Sequence, residues 1–244
     1  MNCENEIFRT QDCYGPIVVL EYDNLRILSF DSPFEQSAMR MDNPLELVHE
    51  YLSAMVLVLA FKNPQHVTFL GLGGGTLVRA IHERCPHTKV QVVELRNSVI
   101  NVAIEYFGLT IDDRIKIHER NGFAFLNEEH NHSSDIVFAD MYQANAMDSF
   151  QGTIQFLERC WHLLSNDGWL VINFHRLPDF NHPYMLRLSH LYPDVFCYGT
   201  GSGNFIMLCG KQLLKRPLSN FRSNVGHLEQ LFGTRLVRYF EQIL

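Results

Sequence analysis

The chain has 244 residues, of which 46% are hydrophobic and 19% charged, and its net charge is -7. This composition favours a folded domain with a sizeable core and argues against disorder. The acidic balance argues against a nucleic-acid partner, and the longest apolar run, Ala54 to Phe61, is too short to span a membrane. The six cysteines lack a regular spacing and the first residues lack a secretory pattern, so we expect a cytoplasmic protein with reduced thiols.

The first predicted element is a β-hairpin. Residues 17–22 and 25–30 are apolar, β-branched segments on either side of Asp23-Asn24. Residues 35–39 are predicted to connect this hairpin to a helix that runs from Pro44 to about Phe61. We therefore expect a small N-terminal β-hairpin region, residues 1–43, and an α/β domain, residues 44–244. A hairpin alone is marginally stable, so it should pack on the main body or join two copies in a homodimer.

Residues 67–81 predict a buried strand, a glycine turn and a helix. Four of the five residues 71–75 are glycine, which lets the backbone turn sharply and approach a ligand closely. Glu94 ends the next apolar run and can accept both hydroxyls of a ribose, as in nucleotide-binding α/β sheets. The stretch therefore indicates a nucleotide-type ligand, although a tight turn alone would also use the glycines and Glu94 could be a surface acid.

Strands and helices then alternate. Further strands are predicted at 90–94, 115–118, 135–139 and 169–174, and helices at 76–84, 98–107, 123–127 and 153–164. This alternation implies a mostly parallel sheet with helices on both faces. Strands at 195–198 and 205–209 add an antiparallel hairpin, which is typical of adenosyl-sulfonium transferases rather than nicotinamide-binding domains. One amphipathic helix, residues 225–243, is predicted to end the chain.

Several short motifs carry a resemblance to a known family. Residues 48–52 read Val-His-Glu-Tyr-Leu, residues 72–75 read Leu-Gly-Gly-Gly, residues 93–95 read Val-Glu-Leu, and Asp140 follows the strand at 135–139. They resemble the Tyr-His-Glu-Met-Leu helix, the Gly-Gly-Gly-Asp-Gly loop, the Val-Glu-Ile strand end and the first aspartate of Asp-x-x-Asp-Pro in the spermidine/spermine synthase family, the polyamine aminopropyltransferases. Phe69 supports this family over ordinary methyltransferases, which usually carry an acid at that position.

The resemblance implies a class I adenosylmethionine-dependent methyltransferase-like fold, which is Rossmann-like and α/β. It also implies a donor, decarboxylated S-adenosylmethionine or S-adenosylmethionine, a small-molecule amine acceptor such as a polyamine, and no metal. The residues implied at the donor are Gln36, Gly71, Gly73, Gly74, Gly75, Thr76, Glu94, Leu95, Asn121 and Gly122. The residues implied at the acceptor are His49, Tyr142 and Gln143, and Asp140 is implied as the base.

Three positions depart from the family pattern. Thr76 replaces the loop aspartate that would hold the donor's aminopropyl ammonium, and it could instead cap the helix. Asn121 replaces the adenine-side aspartate, although its carbonyl could still accept from an adenine amine. Gln143 replaces the second aspartate of Asp-x-x-Asp. Thr76 and Gln143 are neutral where the family has carboxylates that contact cationic groups. The sequence is therefore most similar to a divergent, spermidine synthase-like branch.

The leading hypothesis is an aminopropyl transferase in which Asp140 accepts a proton from the amine. An adenosylmethionine-dependent methyltransferase is the alternative that Thr76 favours, and a catalytically inactive nucleoside-binding protein is the second alternative. Tyr142 could stack on a ligand or only close its loop, and His175-Arg176 could face the pocket. His130 and His132 are expected in a solvated loop rather than at a metal.

Overall fold

The computed structural model describes residues 5–31, 35–128, 133–143 and 146–244. The strands are β1 (Asn5–Asp12), β2 (Gly15–Tyr22), β3 (Leu25–Ser29), β4 (Glu35–Arg40), β5 (His66–Leu70), β6 (Lys89–Glu94), β7 (Ile115–Glu119), β8 (Ser134–Ala139), β9 (Leu164–Phe174), β10 (Asp194–Gly199) and β11 (Phe205–Gly210). The helices are α1 (Glu50–Val56), α2 (Thr76–Arg84), α3 (Asn97–Glu105), α4 (Gly122–Leu126), α5 (Ile154–Leu163), α6 (Pro183–Leu191), α7 (Arg222–Phe232) and α8 (Val237–Phe240). Short 3₁₀ helices cover Leu57–Ala60, Ser149–Gly152 and Leu218–Phe221.

The strands form two sheets. β1 to β4 make a four-stranded antiparallel sheet, and the other seven strands pair in the order β10-β11-β9-β8-β5-β6-β7. β5 to β9 are parallel, while β10 and β11 run antiparallel at one edge. The predicted α/β class, with a mostly parallel sheet and a C-terminal antiparallel hairpin, is confirmed.

The order of the strands reverses beside β5. The chain runs outward from β5 through β6 to β7, and then returns to β8 on the other side of β5. Such a switch point opens a crevice at the carboxyl ends of the strands, where α/β proteins bind ligands. In register, Leu70 pairs with Val93 of β6 and with Ala139 of β8, so the residues that follow these strands meet at this crevice.

Helices cover both faces of the large sheet. α1, α2, α7 and α8 share one apolar cluster with the sheet, while α4, α5 and α6 contribute to the opposite one. A third cluster joins β2 to β4 with α3 and holds the N-terminal sheet on the main body. Within the described ranges, no helix has both the length and the apolarity that crossing a bilayer requires.

The N-terminal region contains more strands than predicted. The hairpin of β2 and β3 is present and turns at Asp23, which has a left-handed φ of 51°. Two further strands flank it: β1, in a segment without a clear hydrophobic period, and β4, which was predicted as a connection. β1 was missed because its side chains are mostly polar and only partly buried. β4 was missed because its buried residues, Ser37, Ala38 and Met39, follow one another and include a polar one. The segment therefore lacks the alternation of apolar and polar residues that marks a half-buried strand.

Two predicted helices are shorter than expected. α1 begins at Glu50 rather than Pro44, because His49 has extended backbone angles and residues 43–46 form a turn. The single helix predicted at 225–243 is wrong, since Gly233 ends α7 in a left-handed conformation with φ 63°.

β9 begins at Leu164, five residues before its predicted start, because an irregularity in the pairing of β8 with β9 lets the ladder continue past the polar turn.

Candidate active site

The glycine loop between β5 and α2 lies against the end of β8. Gly71 has φ 96° and donates its N–H to the Val93 carbonyl at 2.9 Å. A Cβ at this position would lie 2.3 Å from the Asp140 carbonyl oxygen. Only glycine therefore combines this backbone angle with this contact, and the loop is set directly beside Asp140.

The other side of the loop contacts the N-terminal sheet. The Gly74 N–H donates to the Ser37 hydroxyl at 2.8 Å, and a Cβ at Gly73 would lie 2.7 Å from the same oxygen. Gln36 belongs to β4 rather than to a connection, and its carbonyl is 3.6 Å from that same Cβ position. β4 therefore forms one wall of the glycine loop. Ser37 was missed because a serine beside Gln36 has no distinctive sequence signal.

Thr76 is the first residue of α2, and Gly75 caps the helix with φ 72° and no side-chain bond. The alternative that Thr76 caps the helix is therefore wrong. Its side chain is buried, and its hydroxyl lies 3.5 Å from the Ala38 carbonyl in β4. The hydroxyl is thus directed toward the N-terminal sheet. The residue that replaces the family's donor-binding aspartate therefore contacts the protein itself.

Glu94 ends β6 inside the crevice and is 8% exposed. One carboxylate oxygen accepts the Leu72 N–H of the glycine loop at 3.0 Å, and the other accepts the Arg96 N–H at 2.9 Å. Burial raises the pKa of Glu94, while these N–H groups and that of Leu95 oppose the rise. The three N–H groups fill three of the roughly four acceptor sites of the carboxylate, so one site is left for a ribose hydroxyl.

The predicted adenine side is built at the start of α4. The Asn121 carbonyl oxygen caps α4 by accepting the Phe123 and Ala124 N–H groups at 2.8 and 3.4 Å. This oxygen was expected to accept from an adenine amine, but the cap occupies it, which leaves the amide nitrogen as the group able to face a ligand. Gly122 lies so close to the Met141 sulfur that a Cβ would be 2.8 Å from it.

Asp140 follows β8 and is held by two neutral donors. The Asn173 side-chain amide donates to Oδ1 at 2.8 Å, and the Tyr51 hydroxyl also donates to the carboxylate. Burial raises the pKa of Asp140, while these two bonds and the nearby His175 and His49 counteract part of that rise. A carboxylate with a raised pKa is a stronger base, so these surroundings suit proton transfer.

His49 precedes α1 and stacks on Tyr51, with ring centroids 5.8 Å apart. Its Nε2 is buried and has no hydrogen-bond partner within the described part of the chain. The carboxylate of Glu35 in β4 is 4.0 Å away, beyond hydrogen-bond distance. Burial lowers the pKa of His49, which favours a neutral ring. A buried polar atom without a partner is the kind of group that a ligand would satisfy.

Tyr142 and Gln143 lie in the loop after Asp140. The Tyr142 hydroxyl donates to the Asn173 carbonyl at 3.1 Å, and its ring packs 4.4 Å from the ring of His175. These two contacts are consistent with the second of its expected roles, closing the loop, and the stacking of Tyr142 on a ligand stays a prediction. Gln143 is exposed, and its amide nitrogen is 3.4 Å from the Asp148 carboxylate. Although Gln143 replaces an acid of the family, another acid lies beside it.

Among the described residues, no three or more His, Cys, Asp or Glu side chains are grouped so that they could hold a metal ion. His130 and His132 lie outside the described residues.

Tyr51 and Asn173 are the functional candidates that the sequence prediction missed. Asn173 had a signal, because it is a polar residue inside the apolar run of β9.

These elements match one known domain family. A model of the spermine/spermidine synthase domain matches residues 45–197, more than half of the chain. The chain belongs to the spermine/spermidine synthase family. The family predicted from the sequence motifs is thereby confirmed, and the match covers the structure from the turn before α1 into β10.

Similar proteins include aminopropyltransferases and a methyltransferase. A polyamine aminopropyltransferase from Neisseria meningitidis is 32% identical over 164 residues, 66% of this chain and 62% of that protein. The match thus spans less than two thirds of that relative. A probable spermidine synthase from Corynebacterium glutamicum has a TM-score of 0.75 at 17% identity and covers 93% of this chain and 94% of its own. Human methyltransferase-like protein 13 in complex with SAH has a TM-score of 0.63 at 21% identity. This match covers 79% of this chain and 93% of the human chain.

The two solved structures show that this synthase family and the methyltransferase share a fold, which is the class I methyltransferase-like fold predicted here. The family places this chain among proteins that include polyamine aminopropyltransferases. The roles of individual residues in this chain stay predictions.

Proposed function

We propose that this protein transfers an aminopropyl group from a decarboxylated adenosylmethionine-type sulfonium to an amine acceptor. The observation that supports this best is the placement of Glu94 and Asp140 on opposite sides of β5, with Gly71 in contact with Asp140. Glu94 is a candidate for holding the ribose of the donor. Asp140 is a candidate for the base on the acceptor side, where the family relative is a polyamine aminopropyltransferase.

The acceptor side favours a cationic amine. Besides Asp140, the acids Asp148 and Glu35 lie beside Gln143 and His49, and burial lowers the pKa of His49. An acidic pocket lowers the free energy of a bound ammonium relative to an anionic acceptor. Asp148 also offers a carboxylate close to where Gln143 replaces the family's second aspartate.

The proposed step is an in-line displacement at the carbon attached to sulfur. The amine nitrogen forms the new N–C bond, the C–S bond breaks, and its electrons go to sulfur, so methylthioadenosine leaves as a neutral thioether. The proton lost by nitrogen goes to Asp140 and then to solvent. For an alkyl amine with a pKa of about 10, deprotonation at pH 7 costs roughly 4 kcal/mol. Holding the two reactants in line can lower the barrier by roughly 7–11 kcal/mol in favourable cases.

The second candidate is methyl transfer from S-adenosylmethionine. The observation that favours it is Thr76, which contacts Ala38 where a family aspartate would hold the aminopropyl ammonium. Without that acid, the reason to prefer a decarboxylated donor is weaker. The human structural neighbour with SAH shows the same fold in a methyltransferase.

Calorimetry with S-adenosylmethionine, its decarboxylated form and methylthioadenosine separates these candidates. We expect the decarboxylated donor to bind at least about tenfold more tightly than S-adenosylmethionine, a difference of about 1.4 kcal/mol. Tighter binding of S-adenosylmethionine would contradict the aminopropyl proposal and favour methyl transfer. Binding of none of the three would favour a protein without this activity.

A further inference from the structure

Asn173 connects Asp140 to three other parts of the site. It is 1% exposed, near the end of β9. Its side-chain nitrogen donates to Asp140 at 2.8 Å, and its side-chain oxygen accepts from Asn204 at 2.9 Å. Its main-chain carbonyl accepts both the Tyr142 hydroxyl at 3.1 Å and the Gln151 amide at 3.0 Å. One buried residue therefore contacts the proposed base and both ends of the loop that follows it.

We propose that Asn173 is a positioning residue for Asp140: its amide orients the carboxylate toward the acceptor while its carbonyl holds the loop that carries Tyr142. The inference rests on the proposed function. Asn173 does not need to touch either substrate. Its contribution is to restrict the rotation of Asp140, because productive proton transfer depends on the orientation of the base.

The orientation of the Asn173 amide is itself determined by its neighbours. Because Asn204 donates to the Asn173 oxygen, the Asn173 nitrogen must face Asp140. Asn204 is in turn held at the β10–β11 turn, where its N–H donates to the Thr200 hydroxyl at 3.1 Å and its side-chain oxygen accepts from Ser202 at 3.2 Å. The antiparallel hairpin at the sheet edge thus supports the proposed base through two amides.

The loop after Asp140 is fixed from the same residue. The Gln151 side chain is fully buried, donates to the Asn173 carbonyl, and accepts the Met141 N–H at 3.0 Å. The Tyr142 hydroxyl donates to the same carbonyl at 3.1 Å. The first two residues after Asp140 are therefore both tied, directly or through Gln151, to Asn173.

The charged and titratable groups that face Asp140 come from three elements. Tyr51 and His49 belong to α1 and the residue before it, Tyr142 lies in the following loop, and His175 follows β9. The bond from Asn173 lowers the pKa of Asp140 because it stabilises the charged form. Removing that bond should raise this pKa, so the base would become protonated at a higher pH.

The test replaces Asn173 with two side chains of similar size. Asn173→Asp keeps an acceptor for Asn204 and places a second carboxylate against Asp140, and Asn173→Leu removes the donor without adding charge. In both variants we expect the acidic limb of the kcat–pH profile to move up by about one unit or more. We also expect kcat at neutral pH to fall about tenfold or more, with donor affinity within about twofold of the wild type.

Gln91→Leu is the matched control, because Gln91 is also a sheet amide and donates to Thr68 at 2.8 Å, away from the crevice. It should leave the pH profile unchanged. Carbon-13 NMR titration of the Asp140 carboxyl measures the same pKa without turnover, so it tests Asn173 even if the wild type transfers no aminopropyl group. An Asp140 titration that is identical in the wild type and both Asn173 variants would overturn the inference.

Discussion

Two acids, at the ends of the strands on either side of β5, have different surroundings, and this difference separates their proposed roles. Both oxygens of Glu94 accept main-chain N–H groups, which favours a fixed anion that binds hydroxyls. Asp140 instead accepts from the neutral side chains of Asn173 and Tyr51. Burial raises the pKa of both residues. We therefore propose proton exchange for Asp140 and ligand binding for Glu94.

Replacing Asp140 should separate binding from turnover. Asp140→Asn keeps the size of the side chain but removes its basicity, so we expect kcat to fall by at least about a hundredfold. The affinity for the donor, measured by calorimetry, should change little. Asp113→Asn changes the net charge equally at an exposed site before β7 and serves as the control. Turnover equal to the wild type would remove Asp140 from the role of base.

Glu94→Gln should have the opposite profile. An amide at this position has one oxygen for the Leu72 and Arg96 N–H groups, so one of them loses its acceptor and the anion is lost from the crevice. We expect the dissociation constant of the donor to rise by at least about tenfold, or about 1.4 kcal/mol. Glu105→Gln, at an exposed position of α3, controls for charge. An unaltered affinity would mean that the ribose is held elsewhere.

At the scale of elements, the strand–loop–helix unit of β5 and α2 was predictable and its surroundings were not. The apolar run, the glycines and the helical spacing at residues 67–81 act locally, so the sequence contains the information for them. The wall formed by β4 depends on Ser37 meeting Gly74. Contacts between residues that distant in sequence are not encoded in a local pattern.

The same limit explains the errors in helix boundaries and in capping. The apolar spacing after Pro44 continues a helical pattern, but the turn at 43–46 delays the start of α1. Gly233 was a visible breaker, yet the amphipathic spacing on both sides of it favoured one helix. Thr76 fitted a capping position, but the glycine before it takes that position through its left-handed backbone.

Two glycine-to-alanine substitutions should have opposite effects on stability. In Gly71→Ala the new Cβ meets the Asp140 carbonyl oxygen, and φ 96° is unfavourable for alanine, so we expect a loss of at least about 2–3 kcal/mol. Gly226, within α7, has no atom within 4 Å of a new Cβ. Gly226→Ala should therefore stabilise by about 0.5–1 kcal/mol. Urea unfolding measures both, and a neutral Gly71→Ala would contradict the contact.

At the scale of the whole molecule, Arg96 joins the N-terminal sheet to the α/β body. Its guanidinium donates to both oxygens of Asp12 at 3.0 and 2.9 Å and to the Gly15 carbonyl at 2.7 Å. It also lies over the Phe30 ring at 4.5 Å. Since the Arg96 N–H binds Glu94, the same residue links this junction to the proposed donor site. No motif predicted this connection, because Asp12 and Arg96 are 84 residues apart.

Arg96→Met should loosen the junction between the two sheets. We expect a loss of about 2–3 kcal/mol, less than the roughly 3–5 kcal/mol for a fully buried pair, because Asp12 stays partly exposed. Hydrogen exchange should increase in β1 and β2 before it increases in β5 and β8. Arg9→Met, which removes exposed ion pairs of the same sheet, should change the unfolding midpoint little. Equal effects of the two variants would contradict a special role for Arg96.

The same pair predicts a dependence of stability on pH. Burial acts to raise the pKa of Asp12, but the bonds from Arg96 and from the Tyr14 N–H outweigh it, and the pKa is lowered overall. A lowered pKa in the folded state gives stability that is present at neutral pH and is lost as the pH falls through that pKa. Asp12→Asn should therefore reduce the loss of stability on acidification, as measured by urea unfolding at acidic and neutral pH.

The contact of Ser37 with Gly74 also limits which N-terminal sheets could be exchanged between relatives. A sheet taken from another member of the family would fit this body only if it placed a small side chain with a hydrogen-bond acceptor over the loop, because the Gly73 and Gly74 backbone leaves no space for more. A chimaera without such a side chain could fold its N-terminal sheet and its α/β body and still have a distorted glycine loop. At the glycine loop, inheritance of the two parts is therefore coupled through the Ser37 hydroxyl.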